Sequence, residues 1–147
     1  MPSESDGAAA GLIDTNVFIH AQASDARSEE CLRFLEAVER GEIRARLDPL
    51  VAHELTYALP HYRQGMTRAD VAMFLLAVLA WDGIVGDRDC VVDAVLRWRD
   101  STRLAFVDAY LAAVAHANGC PVYTNNVRDL ASHGVVTPDP LLAGTPK

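Results

Sequence analysis

The chain has 147 residues, of which 50% are hydrophobic and 22% are charged, a composition typical of a folded globular protein rather than a disordered one. At this length we expect a single domain over residues 9–147, with a flexible tail at 1–8 and a loosely held end at 138–147. The net charge of −7 argues against nucleic-acid binding through bulk positive charge. It does not exclude a local cluster of acids that binds divalent cations.

The cysteines and the apolar segments indicate a cytoplasmic protein without a membrane anchor. Cys31, Cys90 and Cys120 are widely spaced and form no pairing motif, which fits a reducing compartment. The start, "MPSESDGAAA", lacks the basic and apolar regions of a signal peptide. The longest apolar run, from Val71 to Trp81, is too short to span a bilayer.

The first half of the chain predicts two strands and two helices. "AAGLID" reads as a buried strand and "IRARLD" as a half-exposed one, and "SEECLRFLEAVERG" reads as a helix that stops at Gly41. "PLVAHELTYAL" predicts a helix that starts at Pro49 and ends at Pro60. A further helix should follow Thr67, because Asp70 three residues later completes a capping box.

The second half predicts two more helices and a strand. "DCVVDAVLRWRD" and "FVDAYLAAVAHANG" have helical spacing, with Gly119 as the stop of the second, and "PVYT" reads as a short buried strand. Strands that alternate with helices predict an α/β fold with a mostly parallel sheet. Active sites in such folds form outside the carboxyl ends of the strands, where Asp14 and the segment 124–126 fall.

Three acids stand where solvation alone does not explain them. Asp14 ends the first predicted strand, Glu54 lies in mid-helix among apolar residues, and Asp108 lies in the first turn of its helix, where the helix dipole favours a carboxylate. Each also has a simpler interpretation. Asp14 could cap the following turn, Glu54 could pair with an arginine, and Asp108 could be an ordinary first-turn acid.

If these acids converge, their repulsion requires either protons or a cation. Two carboxylates about 4 Å apart repel by roughly 4 kcal/mol at an effective dielectric near 20. Hard oxygen ligands with open coordination positions favour Mg²⁺ or Mn²⁺. Such an ion activates water and neutralises charge on a phosphate, so the pattern predicts hydrolysis of phosphodiester bonds.

The segments "LIDTNVFI", "VAHEL" and "LAFVDAYLAAVAHANGCPVYTNNVRDL" together resemble a PIN domain, most of all the VapC-type toxins of type II toxin–antitoxin systems. The resemblance covers roughly residues 10 to 137. It implies a three-layer α/β/α sandwich and an Mg²⁺- or Mn²⁺-dependent endoribonuclease. It also implies a homodimer and inhibition by a small cognate antitoxin.

The resemblance assigns roles to individual residues. Asp14, Glu54 and Asp108 would be the catalytic, metal-binding acids, while Asn16 and Thr124 would orient them through hydrogen bonds. The family often has a fourth acid at the position of Asn126, so this chain departs from the full set of four. Asn126 itself, or Asp129 nearby, would then complete the metal site.

Arg128 adjoins the predicted site and is the best candidate among the twelve arginines for an RNA contact, although a solvated surface explains most of the others.

A phosphatase of the haloacid dehalogenase type would need a second Asp at the position of Asn16. A receiver domain would need paired early acids, and a nucleotide-dependent enzyme a glycine-rich loop. The alternative from another class is a catalytically weakened PIN domain that serves as an RNA- or protein-binding scaffold, which Asn126 keeps open.

Overall fold

The computed structural model describes residues 9–138. The chain divides after Asp89 into two compact units, which are described separately. The predicted tail at 1–8 lies outside the described residues, as does the predicted loose end beyond Pro138. The single domain expected over 9–147 stays a prediction.

The first unit contains two short parallel strands. Its elements are β1 (Gly11–Leu12), α1 (Thr15–Gln22), α2 (Ser28–Glu39), β2 (Ala45–Arg46), α3 (Pro49–Tyr62) and α4 (Arg68–Leu79). Gly11 pairs with Ala45, and the N–H of Ile13 extends the ladder by donating to the carbonyl of Arg46 at 3.2 Å. A parallel bridge joins Ala45 to Ile84. The predicted parallel pairing is therefore confirmed, in shorter strands than expected.

The first strand is only partly buried, contrary to expectation. Ile13 is buried, whereas Leu12 is 66% exposed. Successive side chains of a strand point to opposite faces, so the two neighbours have different surroundings. The prediction of a buried strand holds for Ile13 alone.

Helix α1 is an element that the sequence pattern did not predict. It begins directly after Asp14 and buries Thr15, Phe18 and Ile19 on one face. The β-branched residues in this segment favour strands by intrinsic preference. Burial of one face at helical spacing overrides that preference and places Asp14 at the turn between β1 and α1.

Helices α3 and α4 begin as predicted, but α3 runs further. Asp48 caps α3 by accepting from the N–H of Leu50 at 2.9 Å, and Thr67 and Asp70 form the expected capping box of α4. The helix was expected to end at Pro60 and continues to Tyr62. Pro60 lies in the last turn, where it removes one backbone donor, and the N–H of Arg63 still bonds the carbonyl of Leu59 at 2.8 Å.

The second unit is helical in its described residues. Its elements are α5 (Asp89–Asp100, which begins at the boundary), α6 (Phe106–Asn118) and α7 (Val127–Ala131). Gly119 has φ 63° and ends α6, as predicted. In the core of this unit, the rings of Trp98 and Phe106 pack edge to face, with 6.2 Å between their centroids.

The strand predicted at "PVYT" is wrong. No strand is present at residues 121–124, although Val122 is buried and its N–H donates to the carbonyl of Val136 at 2.9 Å. One such bond does not make a ladder, and Pro121 has no N–H with which to extend it. Among residues 9–138, no helix is long and apolar enough to cross a membrane.

Candidate functional site

The first unit brings Glu54 to the residue next to Asp14. Glu54 projects from the middle of α3, and its Oε2 accepts a hydrogen bond from the Thr15 hydroxyl at 3.1 Å. Thr15 is the first residue of α1 and is 3% exposed. A buried threonine therefore holds a carboxylate that lies 39 residues away in sequence. We name residues 14, 15, 16 and 54 the first acidic pair region, since it contains Asp14 and Glu54.

Asp14 is not used as a helix cap. It occupies the N-cap position of α1 with φ −75° and ψ 149°, but its side chain makes no capping hydrogen bond. The simpler interpretation of Asp14 as a cap is therefore wrong. Asn16 Nδ2 lies 3.5 Å from Asp14 Oδ2, at the outer limit of a hydrogen bond. The orienting role predicted for Asn16 is therefore supported only by a weak contact.

The surroundings of Glu54 differ from those expected. Its neighbour Leu55 is buried, but Leu50, one turn earlier, is 76% exposed and Glu54 itself is exposed. The apolar face on which the prediction relied is thus partly in solvent. Glu54 stands out because of its bond to Thr15 and not because it is buried.

The second unit holds Asp108 through an amide. Asp108 lies in the first turn of α6 and is half-buried, and its Oδ2 accepts a hydrogen bond from Asn126 Nδ2 at 3.1 Å. The backbone N–H of Asn126 donates to the Thr124 hydroxyl at 2.9 Å. Thr124 thus positions Asn126, which in turn holds Asp108. We name residues 108, 124 and 126 the Asp108 region.

The position of Asp108 in its helix has an instructive counterpart in the first unit. Asp70 and Asp108 both stand three residues after the N-cap residue of their helices. Asp70 accepts from the backbone N–H of its N-cap residue Thr67 at 2.9 Å, as an ordinary first-turn acid does. The N-cap residue of α6 is Ala105, and in the described residues the Asp108 carboxylate bonds Asn126 instead. The ordinary interpretation fits Asp70 and not Asp108.

Asp129 and Arg128, the other residues predicted near Asp108, lie on α7. Asp129 is half-buried and Arg128 is exposed. Within residues 90–138, no side-chain hydrogen bond or ion pair joins either of them to Asp108. Their roles in metal and RNA binding stay predictions.

Within the described residues, the three acids have no arginine partner. Over residues 9–138, no ion pair involves Asp14, Glu54 or Asp108, although arginines pair with other acids, as Arg97 does with Asp93 at 2.9 Å. The acids of these two regions are held by neutral hydroxyl and amide groups. Over the same residues, no three His, Cys, Asp or Glu side chains form a group placed to hold a metal ion. Convergence of the three acids stays a prediction.

Sequence reasoning missed Thr15. The only signal for it was a hydroxyl residue between Asp14 and Asn16, and the partner of that hydroxyl is remote in sequence. Thr124 and Asn126 were found, but the order in which they act, from Thr124 to Asn126 to Asp108, becomes visible only in the structure.

The family comparison covers both units. The PIN domain family matches residues 11–133, so the chain belongs to the PIN domain family. Searches of curated proteins and of solved structures gave no significant match. The family match confirms the predicted α/β fold class with its parallel strands. PIN domains are in general nuclease domains, and they typically depend on divalent metal ions.

Proposed function

We propose that this protein is a metal-dependent endoribonuclease in which Asp14, Glu54 and Asp108 act together as the metal-binding, catalytic acids. The observation that carries the proposal is the way these carboxylates are held. Glu54 and Asp108 each accept a hydrogen bond from a neutral donor, and in the described residues none of the three pairs with a cation. In a nuclease family, carboxylates that are held by neutral donors and have no cation partner suit a divalent cation.

The donor set fits Mg²⁺ or Mn²⁺. The hydrogen bonds found use one oxygen of Glu54 and one of Asp108, and both ions prefer carboxylate oxygens to nitrogen or sulfur ligands. When bound, such an ion supplies Lewis-acid stabilisation of the phosphate and an activated water. The chain's own contribution is to fix the carboxylates before substrate arrives. Thr15 does this for Glu54, and Asn126 does it for Asp108.

Asn126 sets the charge of the Asp108 region. A neutral amide donates to Asp108 where the family often has a fourth acid, so this region carries one negative charge fewer. Fewer charged ligands weaken the hold on a second cation. We therefore propose one tightly bound metal ion, with Asp129 as the only further acid of the predicted site.

The finer assignment is a VapC-type toxin that acts in the cytoplasm as a homodimer and is inhibited by a small antitoxin. It is supported by the motifs "LIDTNVFI" and "VYTNNVRDL" and by the family match. A short reading frame directly upstream, encoding a DNA-binding peptide with a basic or amphipathic tail, would support this assignment. Without such a neighbour, the protein would be a PIN ribonuclease of another kind.

The test is an assay of the purified protein on total RNA with Mg²⁺, with Mn²⁺ and with neither, followed by mapping of the new ends. We expect internal cuts that need the ion and that disappear in Asp14→Asn and Asp108→Asn. If every RNA class stays intact with Mn²⁺, and the variants behave as the wild type does, the scaffold function replaces the nuclease.

A further inference from the structure

One face of α3 carries an exposed stripe that includes Glu54. Leu50, Glu54, Tyr57 and His61 follow one another at spacings of four, three and four residues, which places them on the same side of a helix. All four are exposed, Tyr57 at 59%. A large aromatic ring in solvent, one turn from a proposed catalytic acid, contributes little to the core of its unit.

The ring of Tyr57 is held in place by a neighbour. His53, one turn earlier and half-buried, meets it edge to face at 5.6 Å with an interplanar angle of 75°. Edge-to-face contacts of this kind restrict the orientation of an aromatic side chain. Tyr57 is therefore an oriented ring with much of its surface open to solvent.

We infer that Tyr57 is a stacking residue for single-stranded RNA, a role that rests on the proposed ribonuclease function. Proteins that bind single strands stack bases on exposed aromatic rings. Three residues of helix advance by about 4.5 Å, so Tyr57 lies within one turn of Glu54 on the same face of α3. A base stacked on Tyr57 would belong to a nucleotide beside the phosphate presented to Glu54.

A second copy of the chain fits this stripe less well than RNA does. A protein surface over the stripe would bury the Glu54 carboxylate, and in the described residues no cation pairs with it there. Burying an unpaired carboxylate is costly. RNA, in contrast, must approach Glu54 for the proposed reaction, so contact between the strand and this face of α3 follows from the chemistry.

The chain offers a matched control on the same helix. Tyr62 is also exposed, at 66%, and its ring also meets a histidine, His61, edge to face at 5.4 Å. It stands five residues after Tyr57, so it points about 140° away around the helix. Tyr57 and Tyr62 are thus both exposed rings that contact a histidine, but only Tyr57 stands one turn from Glu54 on the same face.

The experiment measures the Kd for a fluorescent single-stranded RNA of random sequence, in an Asp108→Asn background that prevents cleavage. Tyr57→Ala and Tyr57→Leu should raise Kd by about 5- to 100-fold, the loss expected for one stacked base. Tyr57→Phe should keep Kd near that of the background, because stacking needs the ring and not the hydroxyl. Tyr62→Ala should change Kd by less than about twofold.

The outcomes separate this inference from the function on which it rests. If Tyr57→Ala and its background have equal Kd values, while the protein that retains Asp108 cuts RNA, the stacking role alone is overturned. If Tyr57→Ala instead changes the mass measured by sedimentation velocity and leaves Kd unchanged, the stripe serves self-association and the inference is wrong. A wild type that neither binds nor cuts RNA overturns both proposals.

Discussion

The first acidic pair region and the Asp108 region use different donors in different surroundings. In the first, a hydroxyl from the buried Thr15 holds Glu54. In the second, an amide from the half-buried Asn126, at the start of the five-residue helix α7, holds Asp108. Water can replace a donor that it can reach, but it cannot readily replace one that is buried. We therefore expect the first region to depend more strongly on its donor.

The two regions also differ in charge. The first contains two carboxylates, and the second contains Asp108 beside an amide at the position where the family often has an acid. The affinity for a hard cation rises with the number of charged ligands. The first region should therefore contribute more to metal affinity, while Asp108 should still be required.

The largest expected effect comes from removing a metal-binding acid. Asp14→Asn and Asp108→Asn should each lower RNA cleavage by more than about 100-fold, beyond the 10- to 100-fold typical of residues that only orient a ligand. Multiple-turnover assays with Mn²⁺ measure this loss, and circular dichroism checks the fold. Glu29→Gln, which changes an exposed acid paired with Arg33, is the control and should cleave RNA as the wild type does. If Asp14→Asn or Asp108→Asn cleaved RNA nearly as fast as the wild type, the proposed role of that acid in binding the metal ion would be wrong.

Removing the donor that orients the carboxylate should lower RNA cleavage by a different amount in each region. Thr15→Val keeps the shape of the side chain but deletes the hydroxyl, and it should lower cleavage towards the upper end of about 10- to 100-fold. Asn126→Ala should stay near the lower end, because it leaves room for a water in place of the half-buried amide, whereas the Val side chain fills the place of the buried Thr15 hydroxyl. The ratio of the kcat values of the two variants measures this difference. If Asn126→Ala lost more activity than Thr15→Val, the Asp108 region would be the one that depends more strongly on its donor.

Asn126→Asp should make the Asp108 region resemble the first. Two carboxylates at the 3.1 Å spacing now occupied by the amide bond would repel, and a cation held between them would relieve the repulsion. Mn²⁺ should therefore bind about tenfold more tightly than it binds the wild type. Calorimetric titrations at pH 8 measure the gain, and an unchanged Kd would mean that residue 126 does not lie at the metal site.

The smallest expected effect is on folding stability, to which an acid in the first turn of a helix contributes. Hydrogen bonds from Thr67 hold the pKa of Asp70 below its usual range, with the bond from the backbone N–H contributing most and the bond from the side chain next. The stability from Asp70 is thus present above its unfolded pKa and is lost as pH falls through its lower folded pKa. Asp70→Ala should lower the melting temperature by a few degrees at pH 7, with the difference from the wild type vanishing in strong acid.

Asp108→Asn provides the contrast for Asp70→Ala, because Asp108 does not bond its N-cap residue. It should leave the melting temperature at pH 7 unchanged or slightly raised. Thr67→Ala, which removes the other half of the capping box, should cost about 1 kcal/mol. Equal destabilisation by Asp70→Ala and Asp108→Asn would mean that Asp108 is an ordinary first-turn acid.

Much of the helical structure could be predicted because its signals are local. Apolar residues at helical spacing together with Thr67, Asp70 and Gly119 mark the helices that the structure contains. Helix α1 was missed because β-branched residues favour a strand, and its helical form follows from burial of Phe18 and Ile19. The strand at 121–124 was predicted in error, since the pattern does not reveal how few pairing partners the segment has.

The acids of the candidate site could be predicted, but their donors could not be assigned fully. Asp14, Glu54 and Asp108 stand out by their positions at element ends or among apolar neighbours. The bond between Thr15 and Glu54 joins residues remote in sequence, so it depends on how α1 packs near α3. The exposure of Glu54 was also missed, because helical spacing alone does not tell which apolar neighbours face solvent.

The most direct test is calorimetric titration of Mn²⁺ into the wild type, Asp14→Asn and Asp108→Asn at pH 8. If acids from both regions serve one ion, each single substitution should abolish the tight binding seen in the wild type. Should Asp108→Asn bind Mn²⁺ with the Kd of the wild type, the two regions would act independently, and the proposed joint role of the three acids would be wrong.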